Sequence, residues 1–239
     1  MFRTNIHKGI YKVAQSGFAR VIGNKKKIIS IFGLRRSGNH AAIDYISSGL
    51  IGHKIHWRQG RGHNFLFSQD GEIAFINEAN WLSARFLILG LIQNIREIRA
   101  AEYFLISFED TSPVTQQPYW RDIGKTRVIL IRDALELMAS RYNNLNKYAR
   151  QGIGWSRQTM DLHFFQTLIS LRKLQNTSTQ IIWSYDEWLF SQDYRKRSAK
   201  KIGFELDIMT NISKFGGGSS FTGTQAFSKE KRTELVQPR

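Results

Sequence analysis

The chain has 239 residues, 41% of them hydrophobic and 13% aromatic, which allows a large buried core and excludes disorder over most of its length. It carries 35 Lys and Arg against 19 Asp and Glu, a formal charge of +16, which favours phosphorylated small molecules, nucleic acid or an anionic membrane face as partners. It contains no cysteine, which excludes disulfides and cysteine-based zinc sites and fits a reducing compartment.

Residues 1–24 form a basic, amphipathic N-terminal segment, whose larger apolar residues recur at roughly helical spacing between basic ones. Residues 1–22 could lie peripherally on an anionic membrane surface, mimic a transit peptide, or form a helix docked on their own domain. No apolar run in the sequence is long enough to span a bilayer,. We therefore expect a cytoplasmic protein, at most peripheral at the inner membrane surface.

Apolar strand patterns and amphipathic helix patterns alternate along residues 25–227, which we interpret as one domain followed by a charged tail at 228–239. The expected strands are apolar runs rich in β-branched residues, at 26–33, 101–110, 125–133 and 179–185,. The expected helices lie at 39–52, 81–95, 134–145, 160–175 and 191–204, and a Gly/Ser loop lies at 213–227,. This alternation predicts an α/β fold, with three α/β/α layers around a central parallel sheet.

The predicted strands end in polar sequence. The segments that follow them read GLRRSGNH, FEDT, RD and SYDEW. Because ligands of parallel sheets bind beyond the carboxyl ends of the strands, we expect a site at this edge. Residues 57–80, a mixture of aromatic and basic residues, suit a lid over such a site, on the side that would set specificity.

The first of these segments has the spacing of a phosphate loop. Gly33 and Gly38 form a G-x-x-x-x-G pattern between strand and helix, in which backbone N–H groups and a helix N-terminus can converge on an anion. An ordinary strand–turn–helix connection can have the same spacing. In a nucleoside triphosphatase the next residues would be Lys and Ser or Thr, which reach the terminal phosphates and hold magnesium.

Here those two positions are Asn39 and His40, and the positive charge lies earlier, at Arg35 and Arg36. An arginine fork can grip a phosphate or sulfate with two hydrogen bonds and without a metal. The segment therefore predicts a P-loop-like strand–loop–helix site for an anion, with no metal required.

A second candidate anion site follows the strand at 125–133. Arg132 lies at the strand end and Ser140 eight positions later in the next helix, and both could face one phosphate if the helix folds back over the strand end. Ser140 could instead be a small helix-packing residue.

The motifs GLRRSGNH and IRDALELMAS together resemble those of the sulfotransferases that use 3′-phosphoadenosine 5′-phosphosulfate, most closely the bacterial members carrying RRSGNH. The resemblance implies that the first motif cradles the 5′-phosphosulfate and that the second grips the 3′-phosphate. IIWSYDEWL is similar to the Tyr-Glu-Asp-Leu segment of the family, and FGGGSSFTG lies where a late loop closes over the nucleotide, although it could also be a flexible tail. The implied nucleotide-binding residues are Arg35, Arg36, Ser37, Gly38, Asn39, His40, Arg132, Ser140, Tyr185, Gly217, Gly218, Ser219 and Ser220.

The resemblance also implies catalytic roles. Arg36, which stands where the better-known cytosolic members have lysine, would act on the sulfonate and the bridging oxygen. Family members use a histidine or a glutamate as general base, which makes Glu109 the first candidate and His56 the second. Glu109 could instead cap a helix, and His56 could be a polar surface residue.

We therefore expect a sulfotransferase that moves a sulfuryl group from 3′-phosphoadenosine 5′-phosphosulfate to a hydroxyl or amine acceptor, such as a carbohydrate or a lipid-linked alcohol. The product would be adenosine 3′,5′-bisphosphate, and we expect no nucleic-acid partner. The alternatives are a P-loop nucleotide kinase-like enzyme and a non-catalytic basic protein that binds a nucleotide or nucleic acid.

Overall fold

The computed structural model describes residues 25–34, 36–62, 64–77, 84–110, 126–142 and 179–205, together with residues 22, 79 and 169. The strands within these ranges are β1 Lys27–Gly33, β2 Trp57–Gln59, β3 Phe65–Ser68, β4 Ile73–Ile76, β5 Tyr103–Glu109, β6 Thr126–Ile131 and β7 Gln180–Ser184. The helices are α1 Asn39–Ile51, α2 Ala84–Gln93, α3 Ile95–Ala100, α4 Ala134–Tyr142, α5 Tyr185–Phe190 and α6 Gln192–Ile202. The fold is of the α/β type.

The seven described strands form one mixed sheet in the order β2-β3-β4-β5-β1-β6-β7. Strands β4, β5, β1, β6 and β7 are parallel, whereas β3 is antiparallel to both of its neighbours. The prediction of a parallel sheet is therefore wrong at one edge. The segment 57–80, which we expected to be a lid, supplies β2, β3 and β4, because its short apolar stretches FLFS and IAFI pair as a hairpin and are buried.

The four strands predicted from apolar runs are confirmed as β1, β5, β6 and β7, and four predicted helices are confirmed as α1, α2, α4 and α6. The last predicted strand ends one residue early, because Ser184 caps α5 by accepting a hydrogen bond from the backbone N–H of Glu187,. The predicted helix at 160–175, the loop at 213–227 and the tail at 228–239 lie outside the described residues, apart from residue 169. Residues 1–24 do so as well, apart from residue 22.

Buried side chains alternate between two apolar clusters along the strands. On β1, Ile29 and Ile31 belong to a cluster that also contains residues of α1, α5 and α6, whereas Phe32 belongs to one that contains residues of α2, α3 and α4. Phe32 stacks on Phe108 of β5 with a 4.7 Å separation of ring centroids. Burial of both faces explains why the central strands have continuous apolar sequences.

None of the helices in the described ranges has the length and apolar character needed to cross a bilayer.

Candidate functional site

The loop from Leu34 to Gly38 joins the carboxyl end of β1 to α1. The backbone N–H of Ser37 donates to Leu34 O at 2.9 Å, and that of Ala42 donates to Gly38 O at 3.0 Å. Gly38 has φ 95°, and a Cβ atom at this position would come within 3.0 Å of the Tyr185 ring. Glycine is therefore required here both by the left-handed backbone and by the ring packed against it.

Two non-glycine residues also have a left-handed backbone, and within the described residues they are the only ones. Arg36 has φ 78° and Asp110 has φ 54°, and they follow the adjacent strands β1 and β5. The backbone N–H of Asp110 donates to Gly33 O at 2.9 Å, which joins the two strand ends. Such conformations cost about 1–3 kcal/mol each and cluster at functional sites.

The structure brings the two predicted anion motifs together. Arg36 Nε donates to Ser140 Oγ on α4 at 3.4 Å. Arg132 Nη1 donates to the backbone oxygen of Arg36 at 3.1 Å. The loop after β1 and the junction of β6 with α4 thus form one cluster, which contains both arginines and Ser140.

The Arg132 guanidinium is buried and held from several directions. Its side chain is 5% exposed, Nη2 pairs with Glu136 Oε2 at 3.1 Å, and the guanidinium carbon lies 5.1 Å from the centroid of the Tyr185 ring. Its Nε is buried and has no hydrogen-bond acceptor among the described residues. A buried cationic donor of this kind is suited to a further anionic acceptor, since an unmade hydrogen bond to a charged group is costly.

Acidic residues around Arg132 organise the junction, and the sequence analysis did not assign them a role. Asp133 Oδ1 accepts hydrogen bonds from the backbone N–H groups of Leu135 and Glu136, both at 3.0 Å, and so caps α4,. The backbone N–H of Asp133 donates to Asp186 Oδ2 at 2.9 Å. An aspartate directly before a helical pattern is a recognisable capping signal, but the contact with Asp186 depends on the tertiary fold.

Burial raises the pKa of the Asp186 carboxyl above its ordinary value,. The neighbouring carboxylates of Glu136 and Asp133 act in the same direction, whereas the hydrogen bond from the Asp133 N–H and the charge of Arg132 act against them. Asp186 therefore connects the start of α5 to the junction of β6 with α4, where Arg132 lies.

A buried chain of hydrogen bonds connects the loop to β5. Ser37 Oγ donates to Asn39 Oδ1 at 3.0 Å, and Asn39 Nδ2 donates to Glu109 Oε1 at 2.9 Å. Ser37 is 1% exposed, and Asn39 and Glu109 are each 4% exposed. Glu109 is in register with Gly33 of β1, so its carboxylate lies at the start of α1. The first turn of α1 contains no acidic residue of its own, so Glu109 brings a carboxylate to the positive end of this helix from β5,.

His56 is not brought to this cluster. Gln59 of β2 lies level with Ile29 of β1. The residues paired between them across the sheet are Leu66 of β3, Phe75 of β4 and Leu105 of β5. Because β2 runs in the same direction as β1, His56 lies level with the beginning of β1, roughly 20 Å along the strands from the loop after Gly33. Its side chain is exposed.

The remaining predicted residues divide into two groups. His40 is half-buried and is the second residue of α1, directly after the loop. Five predicted residues lie outside the described ranges, namely Arg35, Gly217, Gly218, Ser219 and Ser220. Among the described side chains, no group of three or more His, Asp or Glu is placed to hold a metal ion.

The site is thus a cluster of two arginines, two serines, an asparagine, a tyrosine and a buried carboxylate at the carboxyl ends of β5, β1, β6 and β7. Comparison of the chain with protein-family models, with curated proteins and with solved structures gives no match, so its function has to be inferred from these residues.

Proposed function

We propose that this chain is a sulfotransferase that moves a sulfuryl group from 3′-phosphoadenosine 5′-phosphosulfate to a hydroxyl or amine acceptor of the carbohydrate or lipid-linked class. One observation carries the proposal: two anion motifs that are far apart in sequence meet at one sheet edge. The Arg36–Ser140 hydrogen bond joins residues 104 positions apart, and the Arg132–Arg36 hydrogen bond joins residues 96 positions apart.

The chemistry of the cluster suits a nucleotide with anionic groups at both its 3′ and 5′ positions. Arg36 and the N-terminus of α1 would receive the 5′-phosphosulfate. Arg132 and Ser140 would receive the 3′-phosphate, with the buried Nε of Arg132 available as a further donor. Tyr185 would support the adenine side from beneath, because its buried ring packs against Gly38 and under Arg132,.

The three-layer α/β/α architecture and the P-loop-like character of the loop are part of this proposal. Two core clusters support the layers. One contains residues of α1, α5 and α6, and the other contains residues of α2, α3 and α4. The direct connection from β1 through residues 34–38 into α1 supports the loop assignment.

In the proposed reaction, the acceptor oxygen or nitrogen forms a bond to sulfur while the bond between sulfur and the bridging phosphate oxygen breaks. Arg36 neutralises the charge that develops on the bridging oxygen. Glu109 accepts the proton that the acceptor loses, and Asn39 holds its carboxylate in position through the 2.9 Å hydrogen bond,. We assign the base to Glu109 and not to His56 because His56 lies near the opposite end of the sheet.

The side chains of the loop support the proposed metal independence. A P-loop nucleotide enzyme holds magnesium through a Ser or Thr hydroxyl after its second glycine and lysine. This chain has Asn39 and His40 at those positions. The side chain of Asn39 is already hydrogen-bonded to Ser37 and Glu109. Arg36 and Arg132 would neutralise the donor in place of a cation.

The nucleotide assignment can be tested by thermal shift. Adenosine 3′,5′-bisphosphate should raise the Tm of the wild type more than AMP or ATP with magnesium. Arg132→Ala should abolish this difference, whereas Lys196→Ala, which removes a positive charge from the exposed side of α6, should not. Equal shifts for AMP and the bisphosphate, or a shift that Arg132→Ala leaves unchanged, would overturn the assignment. Turnover would then be followed with a radiolabelled sulfuryl donor and a panel of acceptors.

A further inference from the structure

An apolar face of α2 remains exposed although the opposite face of the helix is well packed. Leu87 and Leu91 are buried in the core cluster, and Gly90 allows a close approach, since a Cβ there would come within 3.0 Å of the Phe65 ring. On the other side of the helix, Phe86 is 64% exposed and Ile92 is 63% exposed. This packing fixes which side of α2 faces outwards.

The exposed apolar residues of α2 are followed in the chain by exposed basic residues of α3. Phe86, Leu89 and Ile92 follow one another at three-residue spacing, so they share a helix face,, and Leu89 is 42% exposed. Arg96 and Arg99 of α3 come next along the chain, and both are exposed. The three large side chains and the two guanidinium groups together form what we call the α2–α3 face.

Asn94 anchors the junction between the two helices to the backbone around it. Its Oδ1 accepts from the backbone N–H of Arg61 at 2.8 Å, and its Nδ2 donates to the backbone oxygens of Arg61 and Gly90, each at 2.7 Å.

At the far end of α3, the side chain of Lys25 donates to the backbone oxygens of Arg99 and Ala101. Lys25, which directly follows the basic N-terminal segment in the sequence, therefore has its side chain at the end of α3.

We infer that the α2–α3 face docks on the surface of an anionic lipid bilayer. This inference is independent of the proposed activity. Exposed apolar side chains next to cations are the composition that binds at a membrane interface, where apolar groups enter the headgroup boundary and arginines meet lipid phosphates. The net charge of +16 acts in the same direction.

The charges favour a bilayer over a second copy of the chain as the occupant. Residues 84–100 contain three arginines and a single acidic residue, Glu97, which is half-buried. A contact between two copies would bury arginines with few carboxylates on the opposing helices to pair with them, which is costly. A lipid surface supplies an anionic phosphate for each arginine.

Co-sedimentation of the full chain with vesicles tests the inference. We expect binding to vesicles of three parts phosphatidylcholine to one part phosphatidylglycerol, and little binding to pure phosphatidylcholine. The triple variant Phe86→Ser, Leu89→Ser, Ile92→Ser should weaken binding about tenfold or more. The matched control is Leu135→Ser with Phe190→Ser, which removes apolar side chains that are 79% and 57% exposed on other helices; it should bind like the wild type.

A charge variant gives a second, separate test in case serine substitutions disturb α2. Arg96→Gln with Arg99→Gln should weaken binding roughly thirtyfold, since each basic residue near an anionic surface contributes about 1 kcal/mol. Lys196→Gln with Lys200→Gln removes the same charge from α6 and should have a clearly smaller effect.

Three results would overturn the inference. The first is an absence of binding by the wild type. The second is unchanged binding by both the triple-serine and the double-glutamine variants, which would place any membrane contact elsewhere, for example in residues 1–22. The third is a dimer in light scattering that the triple-serine variant converts to a monomer, which would make the α2–α3 face a contact between two copies.

Discussion

Substitution of Gly38 by alanine should disturb the site more than its small size suggests. The backbone at Gly38 is left-handed, with φ 95°, and a residue with a Cβ in this conformation costs about 1–2 kcal/mol. The new methyl group would also come within 3.0 Å of the Tyr185 ring, which is 1% exposed and lies under Arg132. Forcing such a group into a packed site costs about 1–3 kcal/mol more.

Gly71 provides a matched control for the backbone contribution. It also has a left-handed backbone, with φ 83°, but a Cβ there would have nothing within 4 Å. Gly71→Ala should therefore show only the backbone cost, and the difference between the two variants isolates the contact with Tyr185.

Urea unfolding and thermal unfolding of both variants measure this difference. At about 2–4 °C per kcal/mol for a chain of this size, Gly38→Ala should lower the Tm by roughly 2–12 °C more than Gly71→Ala does. It should also weaken binding of adenosine 3′,5′-bisphosphate, because the ring that supports Arg132 must move. Equal destabilisation by the two substitutions, with unchanged nucleotide binding, would refute the reasoning that Gly38 and Tyr185 form one packed unit.

The other predictions concern the base, the acidic junction and the helix junction. Glu109→Gln should abolish turnover while leaving adenosine 3′,5′-bisphosphate binding within about threefold of wild type; loss of binding and of fold in parallel would mean that Glu109 only anchors α1. The raised pKa of Asp186 means that its contribution to stability is present below its ordinary value of 3.8 and is lost as the pH rises through the folded value,. In urea unfolding, the stability of Asp186→Asn relative to wild type should accordingly improve as the pH rises above 3.8,, and a difference independent of pH would contradict this. Asn94→Ala should cost about 1–3 kcal/mol because it removes three side-chain hydrogen bonds to the backbone of Gly90 and Arg61,; Asn64→Ala, which loses a single hydrogen bond to a partly buried oxygen, should cost clearly less, and equal losses would contradict the proposed anchoring.

Local patterns were sufficient to predict the elements that build the site. The apolar run before Gly33 and the helical spacing after Gly38 predict β1 and α1, and the run before Arg132 predicts β6 and α4. These elements depend mainly on neighbouring residues, because buried parallel strands need continuous apolar sequence. Their adjacency in the sheet brings Arg36 and Arg132 together, as the rule for strand carboxyl ends predicts.

Pairing between distant strands could not be predicted in the same way. The strands at Phe65–Ser68 and Ile73–Ile76 have four residues each, too few to distinguish a strand from a loop by periodicity. Their position in the sheet places His56 level with the beginning of β1, whereas the sequence alone allowed it near the site. The hydrogen bond between Asn39 and Glu109 likewise depends on the register of β1 with β5. No local sequence pattern specifies that register.

Calorimetric titration of the wild type with adenosine 3′,5′-bisphosphate in the presence of EDTA tests the central claim most directly. Binding should occur without a divalent cation, and Arg132→Ala should raise the Kd about ten- to a hundredfold, as expected for loss of charge-assisted hydrogen bonds to a phosphate. ATP should bind more weakly under the same conditions, with or without magnesium. An absence of binding in EDTA, or tighter binding of ATP with magnesium than of the bisphosphate, would contradict the assignment of this site to a sulfuryl donor.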